Sequence, residues 1–571
     1  MVNFKEEIAK LIAQQVSDLS LEEIQTMIEV PQDSKMGDYA FPCFKLAKTL
    51  RKAPPLIAKG IAEKIAEDPM FEKVEQVNAY VNMFISKEEF VKDVVQDVLE
   101  KDTEYGKTNI GNGTPVIVEF SSPNIAKPFH IGHIRSTVIG NSINKIYSAM
   151  GYKVIRINHL GDYGTQFGKM IVAYRRWGNE EEVKKEPIKT LLHYYTKFHV
   201  EAENDPSLED EARATFTKLE HGEPEETRLW QWFRDESLKE FTRVYDMLGI
   251  EYDSYAGESF YSDKMPAIVD DLKAKNLLVE SKGAMIVDLE PYGLTPAPIL
   301  KSDGSTLYIT RDLACAKYRK DTYNFYKNIY VVASQQNLHF QQLKKILELM
   351  GYEWAKDIIH VPFGLVSLEE GTMSTRQGRV VFLEDVLNRA IDETREIIRE
   401  KGVATDNVEE TAKQVGIGAV VFNELSNNRI KDYVFSWEKV LDFNGETGPY
   451  VQYTHARAAS ILRNAGEEAV KKAQAAQINP AYITGDSTYA LAKLIYKLPE
   501  VVVEAGEKYE PSIVTRHIVD LAQAFNRFYH DEHILVDNEE EKTAKLAMVI
   551  AAKTAIRNGL ALLGMEAPER M

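Results

Sequence analysis

The chain has almost no cysteine: Cys43 and Cys315, far apart, are the only two in 571 residues. That excludes a disulfide framework and any zinc site built on cysteine, and a reducing cytoplasm is the expected setting. No run approaches ~18 consecutive apolar residues, so no transmembrane helix is expected. Residues Met1 to Ile12 carry Glu6 and Glu7 and no apolar h-region, so no secretory signal is read there. Positive charge is in deficit: 69 Lys and Arg against 87 Asp and Glu leave a formal charge of -18. A wholly basic nucleic-acid binder is thereby excluded, whereas one local basic track is not. Also missing are G-x-x-x-x-G-K-[ST], a post-strand G-x-G-x-x-G, H-E-x-x-H and G-x-S-x-G. P-loop, dinucleotide, zinc-protease and serine-hydrolase readings lose their support with them.

What is present is ordinary for a globular protein with a real core: 44% hydrophobic and 27% charged residues. The length suggests three or four domains of roughly 100–200 residues. Helical periodicity at Phe4–Val16 and Leu56–Ile65, an alternating stretch at Val74–Phe84 and a polar helix from Lys87 to Leu99 give a small α+β unit over 1–110. Within it, Lys45, Lys48, Arg51, Lys52 and Lys59 occupy the acid-free window Phe41–Gly60. This is either a solvated face or an RNA-facing patch. A Gly-, Asn- and Thr-rich linker, Thr103–Thr114, follows.

From 111 to 403, apolar runs alternate with helical stretches: Pro115–Phe120, Lys153–Asn158, Asn328–Ala333 and Ile358–Phe363. Short buried strands separated by helices predict an α/β, doubly wound parallel sheet of Rossmann-like kind. A helical, acid-rich insertion at about 180–245 interrupts it. Beyond Ala404 no strand is expected, and 404–571 reads as an α-helical bundle of roughly five helices.

The first of those strands runs into Ser121-Ser122-Pro123-Asn124-Ile125-Ala126-Lys127-Pro128-Phe129-His130-Ile131-Gly132-His133, after which a helix begins. At the carboxyl end of a parallel strand, a helix N-terminus offers unpaired N–H groups to a phosphate. Gly132 admits a ligand close to the backbone, and two imidazoles one turn apart can donate to phosphate oxygens. The plain alternative is that both histidines only cap the helix.

His130-Ile-Gly-His133 is similar to the signature of class I aminoacyl-tRNA synthetases, and the longer run resembles the arginyl-tRNA synthetase family. Further stretches carry the same resemblance: Gly161-Asp-Tyr-Gly-Thr-Gln-Phe-Gly168, Thr310-Arg-Asp312, Ala333-Ser-Gln-Gln336, Met373-Ser-Thr-Arg376, Gly448-Pro-Tyr-Val-Gln-Tyr-Thr-His-Ala-Arg457 and Glu566-Ala-Pro-Glu-Arg-Met571. It therefore spans the chain in order. The resemblance implies an arginine–tRNA ligase. Such an enzyme activates L-arginine with ATP, taken as its Mg²⁺ complex, and passes the arginyl group to the terminal ribose of tRNA(Arg). Activation is expected to depend on bound tRNA. No enzyme nucleophile is needed, so catalysis is orientation plus stabilisation of charge on phosphate.

By the same resemblance, His130, Gly132 and His133 face ATP. Met373, Ser374, Thr375 and Arg376 form the mobile loop, in which Thr375 stands where class I loops carry a second lysine. Lys127 is implied as the substitute cation, with Arg376 and Arg379 as competitors. Ser122, Pro123, Asn124 and His133 hold the backbone end of arginine, while Tyr308, Asp312 and Gln336 surround its side chain, with Glu119 as a second carboxylate. A carboxylate suits the guanidinium fork. Read without the resemblance, Asp312 would be a helix N-cap. The N-terminal unit is implied to touch the tRNA corner, with Tyr80 and Asn82 as contacts. In the anticodon-binding bundle Tyr453, Arg457, Asn526, Tyr529 and Met571 are the corresponding residues, by stacking and hydrogen bonding to unpaired bases. Phe525 and Phe528 are expected in the core. No metal held by the protein alone, no zinc, no tightly bound cofactor, no membrane partner and a monomeric state complete the expectation. The alternatives are a catalytically inactive paralogue that binds RNA as a regulator, and an adenylyl transferase of the same superfamily that uses no RNA.

Overall fold

In a computed structural model the chain is described at residues 3–16, 19–127, 129–301, 307–368, 381–400, 407–440, 442, 445–475 and 478–571. It divides into two compact units. One comprises Met1–Tyr105, Thr454–Leu498 and Asp520–Asn558; the other comprises Gly106–Tyr453, Pro499–Val519 and Gly559–Met571.

In the first unit, β1 (Tyr39–Pro42), β2 (Phe71–Val77) and β3 (Tyr80–Ile85) form an antiparallel sheet in the order β1-β3-β2. Asn78, at φ 55°, makes the tight turn between β2 and β3, a conformation that asparagine tolerates. The Pro54–Ile65 helix starts on proline, whose missing N–H costs nothing at that position. It buries Ala58, Ile61 and Ile65 one or two turns apart. The Lys87–Lys101 helix buries Phe90, Val91, Val94, Val95 and Val98. The Phe90 ring packs on Phe4 (5.2 Å), Tyr496 (5.3 Å) and Tyr489 (5.4 Å), and the Tyr105 hydroxyl donates to the Ile495 carbonyl at 2.9 Å. Segments from the two ends of the chain thus share one core. Lys45, Lys48, Arg51, Lys52 and Lys59 are all exposed beside Phe44 (55%) and Leu56 (65%).

In the second unit, β4 (Pro115–Glu119), β5 (Lys153–Ile157), β9 (Lys327–Ala333) and β10 (Ile358–Phe363) form a four-stranded, all-parallel sheet in the order β10-β9-β4-β5. Ile117 is in register with Ile155 and Asn328, and Val331 with Val361. These are the four expected strands. The Val and Ile of the central strand β4 are buried, and those of β9 largely so, because helices cover the faces of such a sheet, while on the edge strand β5 only Ile157 is buried. The Ile134–Ala149 helix is buried along nearly its whole length. It approaches the sheet at Gly140, where an added Cβ would come within 2.1 Å of the Phe120 Cβ. The helices Glu180–Lys185, Pro187–Asn204, Ser207–Glu220 and Pro224–Met247 make up the expected insertion. The stretch read as a linker is tied down here: Thr108, Gly111 and Gly113 donate to the carbonyls of Ala149, Met150 and Gly151 at 2.7–2.8 Å.

Two features depart from the expectation. β6 (Leu278–Ser281), β7 (Ala284–Val287) and β8 (Ala297–Leu300) form an antiparallel meander. Its first turn is Lys282-Gly283, both at positive φ, and lysine lacks the Asn or Asp signal that marks such a turn. The expectation of no strand beyond Ala404 is also corrected, because β12 (Tyr433–Phe435) pairs in parallel with β11 (Val366–Leu368). Three residues are too few to show a period of two.

Candidate active site

The parallel order brings the ends of β4, β5 and β9 to one edge of the sheet. The loops 120–133, 158–164 and 334–336 therefore gather there, as does the start of the Tyr308–Tyr323 helix, which runs back toward β9. The loop after β4 is unusual: Ser121, Ser122 and Ala126 all have positive φ (69°, 48° and 57°). Non-glycine residues keep such angles only where their surroundings hold them. Here the Ser121 N–H donates to Ser136 Oγ at 2.9 Å, and Ser121 Oγ meets the Tyr245 hydroxyl at 2.8 Å. The Ala126 N–H donates to Ser237 Oγ at 3.1 Å, and the His159 N–H donates to Ser122 Oγ at 3.2 Å. Asn124 bridges to Gly161 in parallel, with the Gly161 N–H on the Pro123 carbonyl at 3.0 Å.

His130 and His133 flank a short 3-10 turn, Ile131–His133, ahead of the long helix. The Gly132 N–H donates to His130 Nδ1, and the His130 N–H donates to His133 Nδ1, both at 3.1 Å. Each ring thus accepts through Nδ1 and carries its proton on Nε2. Capping and function are compatible because they use different nitrogens. The rings lie 4.0 Å apart. Burial pushes the His130 imidazole down to about 4. Burial, with the neighbouring His130 charge, takes His133 to about 3. Both are therefore neutral Nε2–H donors at neutral pH. Lys127, half-buried, lines an open cavity of about 550 Å³ with Leu192, Tyr195, Thr196 and His199.

Asp312 is not a helix N-cap. It is the fifth residue of the Tyr308–Tyr323 helix, whose cap position is Leu307. Its Oδ2 accepts from His339 Nε2 at 2.7 Å. Tyr308, 57% exposed, lies one turn before Asp312 and packs on the same imidazole with ring centroids 4.9 Å apart. Gln336 is exposed, in the 3-10 turn that follows β9. Glu119 is buried, and its Oε2 lies 2.6 Å from Arg319 NH1, with Arg319 fully buried. Arg319 NH2 also lies 3.4 Å from His159 Nδ1, and its guanidinium sits over the Tyr330 ring at 5.4 Å. Glu119 and Asp312 both act on Cys315 and Tyr330, raising their acid groups alongside the larger effect of burial. Glu119, Ser122, Asp312 and Tyr308 are thus brought into one region, but the Glu119 charge is already matched by an internal guanidinium.

The Gly161–Gly168 stretch is an anchor. Asp162, fully buried, accepts from Ser259 N (2.8 Å), Ser259 Oγ (2.9 Å) and Arg234 Nε (3.1 Å), and its carbonyl accepts from Trp230 Nε1 (2.7 Å). Tyr163 donates to Glu220 at 2.9 Å and carries the Arg311 guanidinium over its ring at 4.8 Å. Arg311 also reaches Glu258 at 3.4 Å. Burial pushes the Glu258 carboxyl up to about 7, against the pull of Arg311 and with help from the Asp312 and Asp162 charges.

Elsewhere, Arg457 NH1 donates to Asn526 Oδ1 (2.6 Å), Asn526 Nδ2 donates to Thr454 Oγ1 (3.2 Å), and Arg457 lies 5.7 Å from the Tyr529 ring centre. Tyr453 and Tyr529 are 42% and 45% exposed, whereas Phe525 and Phe528 are fully buried. Met571 is half-buried at the end of a segment whose Glu566 carbonyl accepts from Gln452 Nε2 at 2.8 Å. Tyr80 packs edge-on against Phe44 at 5.5 Å. Asn82 is 3% exposed and turned toward Met36 Sδ (3.8 Å), so Tyr80 rather than Asn82 is the side chain available to a partner. Pro128, Met373, Ser374, Thr375, Arg376 and Arg379 lie outside the described residues.

Sequence reasoning missed His339, Arg319, His159 and Glu258. Two carried a usable signal. Arg319 falls two turns after Asp312 and shares its helix face, and His339 follows Gln336 by three residues, just inside the next helix.

A family profile described as tRNA synthetases class I (R), catalytic domain, matches residues 94–437. Profiles for the arginyl tRNA synthetase N terminal domain and the DALR anticodon binding domain match 6–85 and 451–571. The chain is 57% identical to the arginine–tRNA ligase of Halothermothrix orenii and 59% identical to that of Clostridioides difficile, each over 571 residues and the whole of both chains. Among solved structures, the arginyl-tRNA synthetase of Thermus thermophilus superposes with a TM-score of 0.80 at 26% identity, covering 100% of this chain and 99% of the other. The chain belongs to the arginyl-tRNA synthetase family of class I aminoacyl-tRNA synthetases.

Proposed function

We propose that the chain is an arginine–tRNA ligase. It joins L-arginine to ATP, taken as the Mg²⁺ complex, forming arginyl-adenylate and pyrophosphate, and then transfers the arginyl group to the 3′-terminal ribose of tRNA(Arg). The observation that carries this reading is the pair of neutral Nε2–H donors at His130 and His133, at the same sheet edge as the half-open Asp312 carboxylate. Two fixed donors in a partly dry loop stabilise charge that grows on a phosphate, and they cost no reorganisation during reaction. Asp312 takes the guanidinium, with Tyr308 and Gln336 beside it. Ser122, Asn124 and the adjoining backbone hold the α-carboxylate and α-amine. Glu119, matched by Arg319, shapes the pocket and adds little net charge. Lys127 serves the α-phosphate. A site that pairs a charged fork rejects uncharged analogues by leaving its own carboxylate unpaired.

Residues 1–110 and 404–571 are read as the tRNA-corner and anticodon-binding parts, with Tyr80, Tyr453, Arg457, Asn526, Tyr529 and Met571 as contacts, and 111–403 as the catalytic part. The enzyme is read as a monomer whose activation step requires bound tRNA. Two free, buried cysteines favour a reducing cytoplasm. Arginine-dependent exchange of pyrophosphate into ATP, run with and without tRNA(Arg), tests the reading. Exchange is expected with tRNA and little without it. Absence of exchange in both arms would leave the inactive-paralogue reading standing.

A further inference from the structure

His339 is buried in the first turn of the Asn337–Leu349 helix, and its ring is held on two sides, by Tyr308 at 4.9 Å and Phe340 at 5.4 Å. Its Nε2 donates to Asp312 Oδ2 at 2.7 Å, the short distance expected when the acceptor is charged. Among the described residues, its Nδ1 is buried with no hydrogen-bond partner. A side chain serving packing alone would carry no polar atom here, since an unpaired buried nitrogen destabilises the fold. The polar capacity of the ring is spent on Asp312. The exposure is also asymmetric: 8% for the His339 side chain against 30% for that of Asp312, so the pair is dry behind and open in front.

We propose that His339 is a positioning residue for arginine recognition. It stops rotation of the Asp312 carboxylate about its Cβ–Cγ bond and leaves the outward oxygen, Oδ1, aimed at the substrate guanidinium. Tyr308 is held by the same imidazole, so one residue sets two walls of the pocket. A carboxylate free to rotate must be ordered each time the fork binds, and that entropy is lost from affinity; one ordered in advance has already met the cost. Glu119 cannot take over, because Arg319 already occupies it. This inference rests on the reading of Asp312 as the guanidinium partner.

The test is steady-state aminoacylation by the full-length enzyme with arginine and ATP varied separately. His339→Phe keeps the ring packing and removes the donor, whereas His339→Gln restores an N–H at nearly the reach of Nε2. The expected result is a rise in the arginine KM of about ten- to hundredfold for His339→Phe, the size of one lost hydrogen bond to a charged group. The ATP KM should stay unchanged, and most of the loss should be recovered in His339→Gln. If the Phe variant does not fold, His339→Gln is compared with His339→Asn, whose shorter amide falls short of Asp312. An unchanged arginine KM, a parallel rise in the ATP KM, or a Gln variant no better than its comparator would overturn the proposal. Asp312→Asn separates the two levels. If its arginine KM stays normal, the pocket reading fails and takes this proposal with it. If it rises while the His339 variants behave as wild type, His339 alone is misassigned.

Discussion

At the residue scale, three carboxyl groups near the proposed pocket differ in what surrounds them. Glu119 faces a buried guanidinium, Asp312 an imidazole donor and an open front, and Glu258 a largely dry pocket with Arg311 at 3.4 Å. Glu258 has a testable consequence. Its carboxyl is raised to about 7 in the fold, while an unfolded glutamate titrates near 4.3. Between those values the folded state holds the extra proton, so stability is full at the acid end and falls as pH rises through about 7. Melting temperatures of wild type and Glu258→Gln, compared from about pH 5 to about pH 8, should show the steeper decline in wild type; parallel curves would contradict this. His130 and His133 were legible in the sequence because their motif is local, whereas the pairings of His339 with Asp312 and of Arg319 with Glu119 were not, because they form only across the fold.

At the element scale, the loop after β4 shows how strain is held. Of three non-glycine residues at positive φ, Ser121 is held by Ser136 and Tyr245 and Ala126 by Ser237, all on two helices, while Ser122 is held by the His159 N–H. Ser136 has two tasks: it accepts from Ser121 N–H and donates to the Val331 carbonyl at 2.8 Å, tying the loop to β9. Ser136→Ala leaves a buried N–H unpaired, at a cost of about 1–3 kcal/mol. A lower melting temperature is expected together with raised KM values for both arginine and ATP, since the proposed site draws residues for each from this loop. Unchanged values on all three measures would show that the loop holds its shape without this serine. The four parallel strands were readable because buried strands are continuous apolar runs. The β6–β8 meander and the β11–β12 pair were not, since a Lys-Gly turn and three-residue strands carry too weak a local signal.

At the scale of the whole molecule, the charge of -18 is unevenly placed. Glu201 to Glu226 holds ten acids against two bases, and Asp531 to Glu541 holds six acids and no Lys or Arg. The first island lies on the insertion helices. Every basic side chain of the Phe41–Gly60 window faces solvent, and exposed Phe44 and Leu56 stand among them, as on a surface that meets phosphate and base. The tRNA KM should therefore rise with salt. Replacing Lys45, Lys48 and Lys52 by alanine should flatten the log–log slope by about 0.7 for every phosphate left without its cation. A slope unchanged by the triple substitution would remove this window from the interface.

Strand runs and helical periodicity were enough to predict the parallel α/β core, its helical insertion and the loop-to-helix passage after its first strand, because each depends on residues close together in the chain. Only the tertiary structure decided which groups neutralise one another. It pairs Glu119 with Arg319 and Asp312 with His339, and it folds the Phe4–Tyr105 segment around Tyr489, Ile495 and Tyr496 into one core. Those pairings follow from burial: a charge or a ring out of water must find its partner wherever the fold brings one.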